Sequence, residues 1–121
     1  MRAVRRSKEV RLSREVGSHC VTSEDGEKIF GIIAHEVDRG YEVLLDFSGV
    51  DLVASPFLNA ALGVWLGAMS EPELRGRVHW SNLDPDFESD LEQVLANAHL
   101  YFTNQKARGA IDRSWQSLSD R

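Results

Sequence analysis

Apolar residues recur at two different spacings along the chain, and these spacings predict strands and helices in alternation. Val10 and Leu12 alternate with polar neighbours, which is typical of a short strand with one solvated side. A turn-rich stretch follows, and a second short strand fits within residues 16–21. The unbroken apolar run within residues 41–47 is bounded by glycines and predicts a strand buried on both faces. A third strand is predicted at residues 77–80.

Two central segments carry apolar residues at helical spacing. The first begins after a capping residue, Thr22 or Ser23, and ends before Gly40, a typical stop signal. The second is predicted to run over residues 56–69, with Ser55 as its N-cap and a proline in its first turn. Residues 48–55 between the strand and this helix are interpreted as a loop, and the Glu-Pro-Glu sequence after residue 70 as the helix end.

A further helix is predicted to begin at Asp84 and Pro85, where a capping residue again precedes proline. Two continuations remain open: the helix runs on past His99, or it breaks there and a short strand crosses residues 100–103. The tail beyond Gly109 is polar apart from three apolar residues that would dock a final helical turn: Ile111, Trp115 and Leu118.

The order of these elements predicts an α/β sandwich with a mixed or largely parallel sheet of about four strands, packed with three to four helices. A chain of 121 residues with 42% hydrophobic residues fits one folded domain. We therefore treat residues 1–121 as a single domain, with a basic arm at 1–8 and a C-terminal tail at 110–121.

Charge is distributed unevenly. The formal net charge is −5, yet residues 1–14 hold six cations and one acid, so the rest of the chain carries −10. This acidic body argues against a nucleic-acid binder, and the basic arm is better explained by solubility. The single cysteine, Cys20, forms no intrachain disulfide, and no segment has the pattern of a signal peptide or a membrane span. We expect a cytoplasmic protein that does not bind membranes.

The helix predicted over residues 56–69 carries no charge, and its apolar arc is unusually wide. Asn59, Gly63 and Gly67 form a narrow stripe at intervals of four residues. Interior glycines each cost a helix about 0.8–1 kcal/mol, so they need a packing reason. Either the glycines permit close approach to another element of the same domain, or the helix is covered by another molecule. We favour a partner or self-association surface.

The stretch from Val43 to Gly63 resembles the signature of STAS domains, which occur in sulfate transporters and anti-sigma factor antagonists. It is more similar to the STAS-like family of unknown function, whose pattern is an Asp-Phe-x-x-Val stretch, a serine-containing loop and a phenylalanine opening the helix. The residues that fit this form are Asp46, Phe47, Val50, Ser55 and Phe57. The resemblance extends over residues 9–98 and is specific only in the central part.

The resemblance implies a non-enzymatic regulatory module that docks a partner, in related proteins a histidine-kinase-type ATPase, through the loop and helix at 54–69. It implies partner contacts by Ser55, Phe57, Asn59, Leu62, Gly63, Leu66 and Gly67. In anti-sigma factor antagonists the partner phosphorylates a serine at the helix start, but Pro56 occupies that position here. Ser55 is then the candidate phosphoacceptor, although its hydroxyl is better explained as an N-cap.

No catalytic or metal-binding motif stands out. The sequence lacks a glycine-rich phosphate loop, a dinucleotide-binding fingerprint and an HExxH zinc motif, and its histidines are scattered. We therefore expect no cofactor, no metal and no enzymatic activity. Asp46 ends the central strand, where α/β folds place ligand sites, but hydrogen bonding to the loop at Ser48 and Gly49 explains it better. The alternative function is a small-molecule or nucleotide site at the carboxyl ends of the strands.

Overall fold

Strands and helices alternate along the chain, and the computed structural model describes residues 6–107. The described strands are β1 (Ser7–Arg11), β2 (His19–Cys20), β3 (Glu42–Asp46), β4 (Leu52–Val53) and β5 (Val78–Ser81). The α-helices are α1 (Leu12–Glu15), α2 (Ser23–Asp38), α3 (Ser55–Ala61), α4 (Glu71–Arg77) and α5 (Pro85–Ala107). A 3₁₀ helix, Gly63–Gly67, lies between α3 and α4.

The main sheet has three parallel strands in the order β1-β3-β5. Ser7 is paired with Glu42, and Val43 with Val78, so β3 is hydrogen-bonded on both sides. A separate parallel pair joins β2 to β4. Strand β4 lies within residues 48–55, which were predicted to be a loop. The predicted α/β class and parallel sheet are confirmed, with five described strands in two sheets.

The two faces of the main sheet differ in character. Residues paired in register point to the same side of a sheet, and successive residues point to opposite sides. Val43, Leu45 and Val78 are buried on one face, in the hydrophobic core. Leu44 on the other face is only half-buried, beside His79, which belongs to a polar pair with Glu42. The prediction that β3 is buried on both faces is therefore wrong for the second face.

Helix α2 has the ends that the sequence predicts. The Thr22 hydroxyl accepts a hydrogen bond from the Asp25 backbone N–H at 3.1 Å. At the other end the N–H of Gly40 donates to Val37 and that of Tyr41 donates to Glu36, a Schellman motif. Gly40 has a φ of +87°, a left-handed conformation that glycine adopts without steric cost.

Helices α2 and α3 cross at Gly26. A Cβ atom at this position would lie 2.5 Å from the carbonyl oxygen of Phe57 and 2.8 Å from the Cβ of Ala60. Only a glycine allows the two backbones to approach this closely. The contact brings Ile29 and Ile33 of α2 into the core, where both side chains are fully buried.

The prediction of one helix over residues 56–69 is wrong. Helix α3 ends at Ala61, and Leu62, with φ −126° and ψ −43°, separates it from the 3₁₀ helix. Glycine at both ends of the 3₁₀ helix lowers the preference for continuous α geometry, and tertiary packing decides the local form. Trp65 in this turn stacks on Phe30 of α2, with ring centroids 4.6 Å apart.

Helix α4 begins where the sequence was predicted to end a helix. Its N-terminus is a capping box: the Ser70 hydroxyl accepts from the Glu73 N–H at 3.2 Å, and the Glu73 carboxylate accepts from the Ser70 N–H at 3.3 Å. Pro72 in the first turn is compatible with a helix start because no intrahelical donor is needed there. Leu74 is fully buried and anchors α4 in the core.

Helix α5 is continuous to Ala107, so the alternative with a break near His99 is wrong. The Asp84 carboxylate accepts from the Asp86 N–H at 2.9 Å, as the capping prediction requires. Ser7 and Lys8, which were assigned to the basic arm, belong to β1. The rest of that arm before residue 6 and the tail at 110–121 lie outside the described residues. Within residues 6–107, no helix combines the length and apolar character needed to cross a membrane.

Candidate functional site

The segment at 54–69, which we call the docking segment, lies between α2 and α5 of its own domain. The seven candidate contact residues divide into two groups. Four are buried in the domain: Phe57, Leu62, Gly63 and Leu66. Three are exposed: Ser55, Asn59 and Gly67. Only the exposed group can contact another molecule without a rearrangement of the core, whereas the buried group holds the segment in place.

Ser55 is the first residue of α3 and not its cap. Ala54 occupies the N-cap position, and no side chain there accepts a hydrogen bond. The prediction of Ser55 as N-cap is therefore wrong, because the helix begins one residue earlier than its proline suggests. The Ser55 side chain is exposed, and no hydrogen bond to its hydroxyl occurs within the described part of the chain. This leaves the hydroxyl open to solvent.

A groove of about 330 Å³ lies beside Ser55, between α3 and α5. Its lining consists of Ser55, Pro56, Asn59, Gln93, Val94 and Asn97. The Gln93 amide donates to the Asn97 side-chain oxygen at 3.0 Å, which orients both amides one turn apart on α5. No motif in the sequence includes Gln93 or Asn97, so neither was among the predicted contact residues. The available signal was their position next to the apolar face formed by Leu91, Val94 and Leu95.

The glycine stripe of the docking segment faces α5. A Cβ atom at Gly63 would lie 2.6 Å from the Asn59 Oδ1 atom and 3.3 Å from a Val94 methyl group. At Gly67 it would lie 2.8 Å from the Phe102 ring. Close approach within the domain, the interpretation that we did not favour, accounts for both glycines. A role of this stripe in partner binding stays a prediction.

The carboxyl ends of the three main strands meet at Asp46. Its Oδ1 atom accepts hydrogen bonds from the Asn82 amide at 2.9 Å, the Ser48 N–H at 2.9 Å and the Ser48 hydroxyl at 2.8 Å. Asn82 holds its amide there with a φ of +60°, and Arg11 lies 3.8 Å from the other carboxylate oxygen. The expected hydrogen bonding of Asp46 to the loop at Ser48 is confirmed.

These contacts decide the protonation state of Asp46. The hydrogen bond from Asn82, followed by those from Ser48, lowers the pKa of this carboxyl group from 3.8 to about 2. The group is 6% exposed and carries a charge at neutral pH. It joins β3 to the residues that follow β5, and donors of the chain itself occupy its Oδ1 atom. The Oδ2 atom faces Arg11, and the low exposure of the side chain limits the access of a ligand to it.

A sequence model of the family described as STAS-like domain of unknown function (DUF4325) matches residues 25–88, just over half of the chain. The chain belongs to this STAS-like family. The matched range begins in α2 and ends in the first turn of α5, and it includes the whole docking segment and Asp46. Searches of curated proteins and of solved structures found no match.

The surroundings of the single cysteine of this STAS-like domain disfavour a reactive thiolate. The Cys20 side chain is buried, and burial, with a smaller contribution from Asp25, raises the pKa of its thiol to about 11. His19 beside it is exposed. Among residues 6–107, no three histidine, cysteine or acidic side chains come close enough to hold a metal ion.

Proposed function

We propose that this STAS-like domain is a non-enzymatic regulatory module that binds a protein partner through the exposed part of the docking segment and the adjoining groove. The observation that carries the proposal is the exposed start of α3, where Ser55, Pro56 and Asn59 line one side of a groove. The family resemblance makes a histidine-kinase-type ATPase the first partner to test. A second copy of the chain is the competing occupant.

The chemistry of the groove suits a protein main chain. No charged side chain lines it, and three amide side chains, those of Asn59, Gln93 and Asn97, can each donate and accept hydrogen bonds. Peptide groups of a partner offer the complementary donors and acceptors. Because no ion pair would form at this groove, its contribution to affinity should depend little on salt concentration.

Ser55 offers a way to regulate this contact. A phosphate on its hydroxyl would add about two negative charges at neutral pH beside the uncharged amides of the groove. Because the hydroxyl is not used as a cap, the modification would break no hydrogen bond that holds α3. Pro56 stands at the position phosphorylated in anti-sigma factor antagonists, so Ser55 is the remaining acceptor in this part of the chain.

Two observations support the non-enzymatic part of the proposal. The Asp46 carboxylate is engaged by Asn82 and Ser48, and the Cys20 thiol is buried with a raised pKa. A general base or a nucleophile would need an accessible group within reach of a substrate. Because Asp46 already accepts hydrogen bonds from Asn82 and Ser48, a small-molecule or nucleotide site at the carboxyl ends of the strands is the less favoured alternative.

The test measures binding of the purified domain to histidine-kinase-type ATPases encoded in the same genome, by isothermal titration calorimetry. Asn59→Arg places a charged, bulky group at the groove and is expected to weaken binding at least about tenfold, roughly 1.4 kcal/mol. Ser55→Glu should act in the same direction. The matched controls are Asn104→Arg and Ser89→Glu, at exposed positions of α5 outside the groove.

Equal dissociation constants for Asn59→Arg and Asn104→Arg would contradict the proposed surface. If no ATPase of this class binds, the proposed partner is wrong. Light scattering on the domain alone tests whether a second copy of the chain occupies the groove. If the domain is a dimer and Asn59→Arg dissociates it, the groove serves self-association.

A further inference from the structure

A second, larger groove of about 640 Å³ lies on the other side of the 3₁₀ helix. It runs between the connection from this helix to α4 and the last described turns of α5. Leu66, Met69 and Phe102 contribute apolar surface, and Ser70 and Thr103 are among its polar lining residues. Met69 and Phe102 are only half-buried, so apolar side chains are left partly uncovered along this groove.

The wall of this groove depends on Gly67. Because Gly67 has no Cβ, the Phe102 ring can lie directly against the backbone of the 3₁₀ helix. The arrangement places an aromatic ring of α5 at the groove, five residues before the last described residue of that helix. The chain therefore leaves the described structure beside the groove.

The segment that follows α5 has apolar residues at one helical spacing. At about 100° per residue, Ile111, Trp115 and Leu118 fall within an arc of about 60°. At the same spacing Ser114 and Ser119 fall on either side of this arc, and the four charged residues of the segment fall outside it. Such a stripe would cover the apolar surface that Leu66, Met69 and Phe102 present, whereas the acidic Glu71 and Glu73 belong to the polar part of the lining.

The position of the segment along the chain would allow this stripe to reach the groove. Gly109 follows α5 almost directly, and two antiparallel helices can be joined by a loop of about two to five residues. For a turn centred on Gly109, Trp115 comes opposite Thr103, since each lies six residues from the turn. Leu118 comes opposite the turn of α5 that contains His99, another lining residue.

We infer that the groove is the docking site of this chain's own residues 110–121, with Trp115 inserted against Phe102. The segment then covers the apolar side chains that α5 and the 3₁₀ helix leave uncovered. The occupied groove adjoins the end of the docking segment at residues 66–69, so the C-terminal segment extends the surface that a partner meets there.

The test measures the fluorescence of Trp115 in the full chain. Subtracting the spectrum of a Trp115→Phe variant isolates its emission from that of Trp65 and Trp80. Docking in the groove predicts a blue-shifted emission and protection from acrylamide quenching. Emission typical of a solvated indole, with full quenching, would overturn the inference.

Two pairs of variants locate the contact, each measured with and without Trp115→Phe. Ala68→Glu puts a charge at an exposed lining residue and should shift the Trp115 emission to the red, whereas Ala96→Glu, on α5 away from the groove, should leave it unchanged. Leu118→Asp should release the segment, and Ser117→Asp on its opposite side should not. The inference would be overturned if Ala68→Glu shifted the Trp115 emission no more than Ala96→Glu, and Leu118→Asp no more than Ser117→Asp.

Dilution distinguishes the intended occupant from a second copy. An emission that is unchanged over a wide range of concentrations, with a monomeric mass by light scattering, supports docking within one chain. An emission that shifts to the red on dilution as a dimer dissociates would assign the groove to the tail of another copy and overturn the inference. Far-UV circular dichroism of the Ala68→Glu variant verifies that its helix content equals that of the parent.

Discussion

Single side chains join distant parts of this domain, and Asp46 does so most clearly. Its carboxylate lies at the end of β3 and accepts hydrogen bonds from Ser48 in the next loop and from Asn82 after β5. Arg11 at the end of β1 lies nearby. One charged group thus connects the carboxyl ends of all three main strands. The sequence predicts its bond to the Ser48 loop, but the contact with Asn82 spans 36 positions and depends on the sheet register.

Replacing Asp46 by asparagine should destabilise the fold at neutral pH. A carboxyl group with a folded pKa of about 2 and an ordinary pKa of 3.8 contributes about 2 kcal/mol when charged. Because the folded pKa is the lower one, this contribution is present above pH 4 and is lost as the pH falls through 2. Urea unfolding at pH 7 should show the loss in Asp46→Asn, and the difference from the parent should shrink between pH 4 and pH 2.

Asp51→Asn is the control for this measurement, because the Asp51 side chain is exposed and no hydrogen bond holds it among the described residues. Its stability should stay within about 0.5 kcal/mol of the parent, as for most surface changes. An Asp46→Asn variant as stable as Asp51→Asn would contradict the role assigned to the carboxylate.

At the scale of elements, local signals predict where most helices and strands occur. The caps at Thr22 and Asp84 and the glycine after α2 are short-range features, and the structure uses all three. Helix α4 was missed because its proline was interpreted as a terminator, although Ser70 and Glu73 have the spacing of a capping box. That signal was present in the sequence.

Other features of the elements depend on tertiary contacts that no local pattern contains. The break after Ala61 follows from packing of Gly63 and Gly67 against α5. The amide groove combines α3 with Gln93 and Asn97, more than 30 positions away. Likewise, the half-buried state of Leu44 depends on which elements cover the second sheet face. Periodicity predicts that a strand or helix exists, whereas its neighbours decide which of its faces is covered.

The two glycines of α2 should respond oppositely to the same substitution. Gly26→Ala forces a Cβ against the Phe57 carbonyl oxygen, so α2 and α3 must separate, at a cost of roughly 1–3 kcal/mol. Gly31→Ala meets nothing within 4 Å and should stabilise the helix by about 0.5–1 kcal/mol. Urea unfolding of both variants provides the comparison. A Gly26→Ala variant as stable as Gly31→Ala would show that the helices do not cross as described.

At the scale of the whole molecule, one hydrophobic cluster includes residues from nearly the entire described chain. Its buried members extend from Val10 in β1 to Ala98 in α5, and they include Leu74 of the short helix α4. The two sheets share this cluster, since Cys20 of β2 and Val53 of β4 belong to it as well. The described part of the chain therefore has a single core, although its strands form two sheets.

A shared core predicts a single cooperative unfolding transition. Both probes are applied to the Trp115→Phe variant, so that the fluorescence comes from Trp65 in the 3₁₀ helix and Trp80 in β5. Far-UV circular dichroism, which reports on the helices, should give the same midpoint in urea as this fluorescence. Two separated midpoints would show that part of the molecule, such as the β2–β4 pair with its neighbours, unfolds independently.

The central position of β3 has a consequence for the order in which the chain can fold. Among the described strands, β1 pairs only with β3 and β2 only with β4, so neither has a partner within residues 6–41. In the main sheet, both ladders join residues 35 positions apart, as Ser7 with Glu42 and Val43 with Val78. A nascent chain leaving the ribosome can thus form helix α2 early, but that helix alone is marginal in water. Closing the sheet must wait until most of the domain has been synthesised, and prematurely terminated chains would expose unpaired strands to the quality-control machinery of the cell.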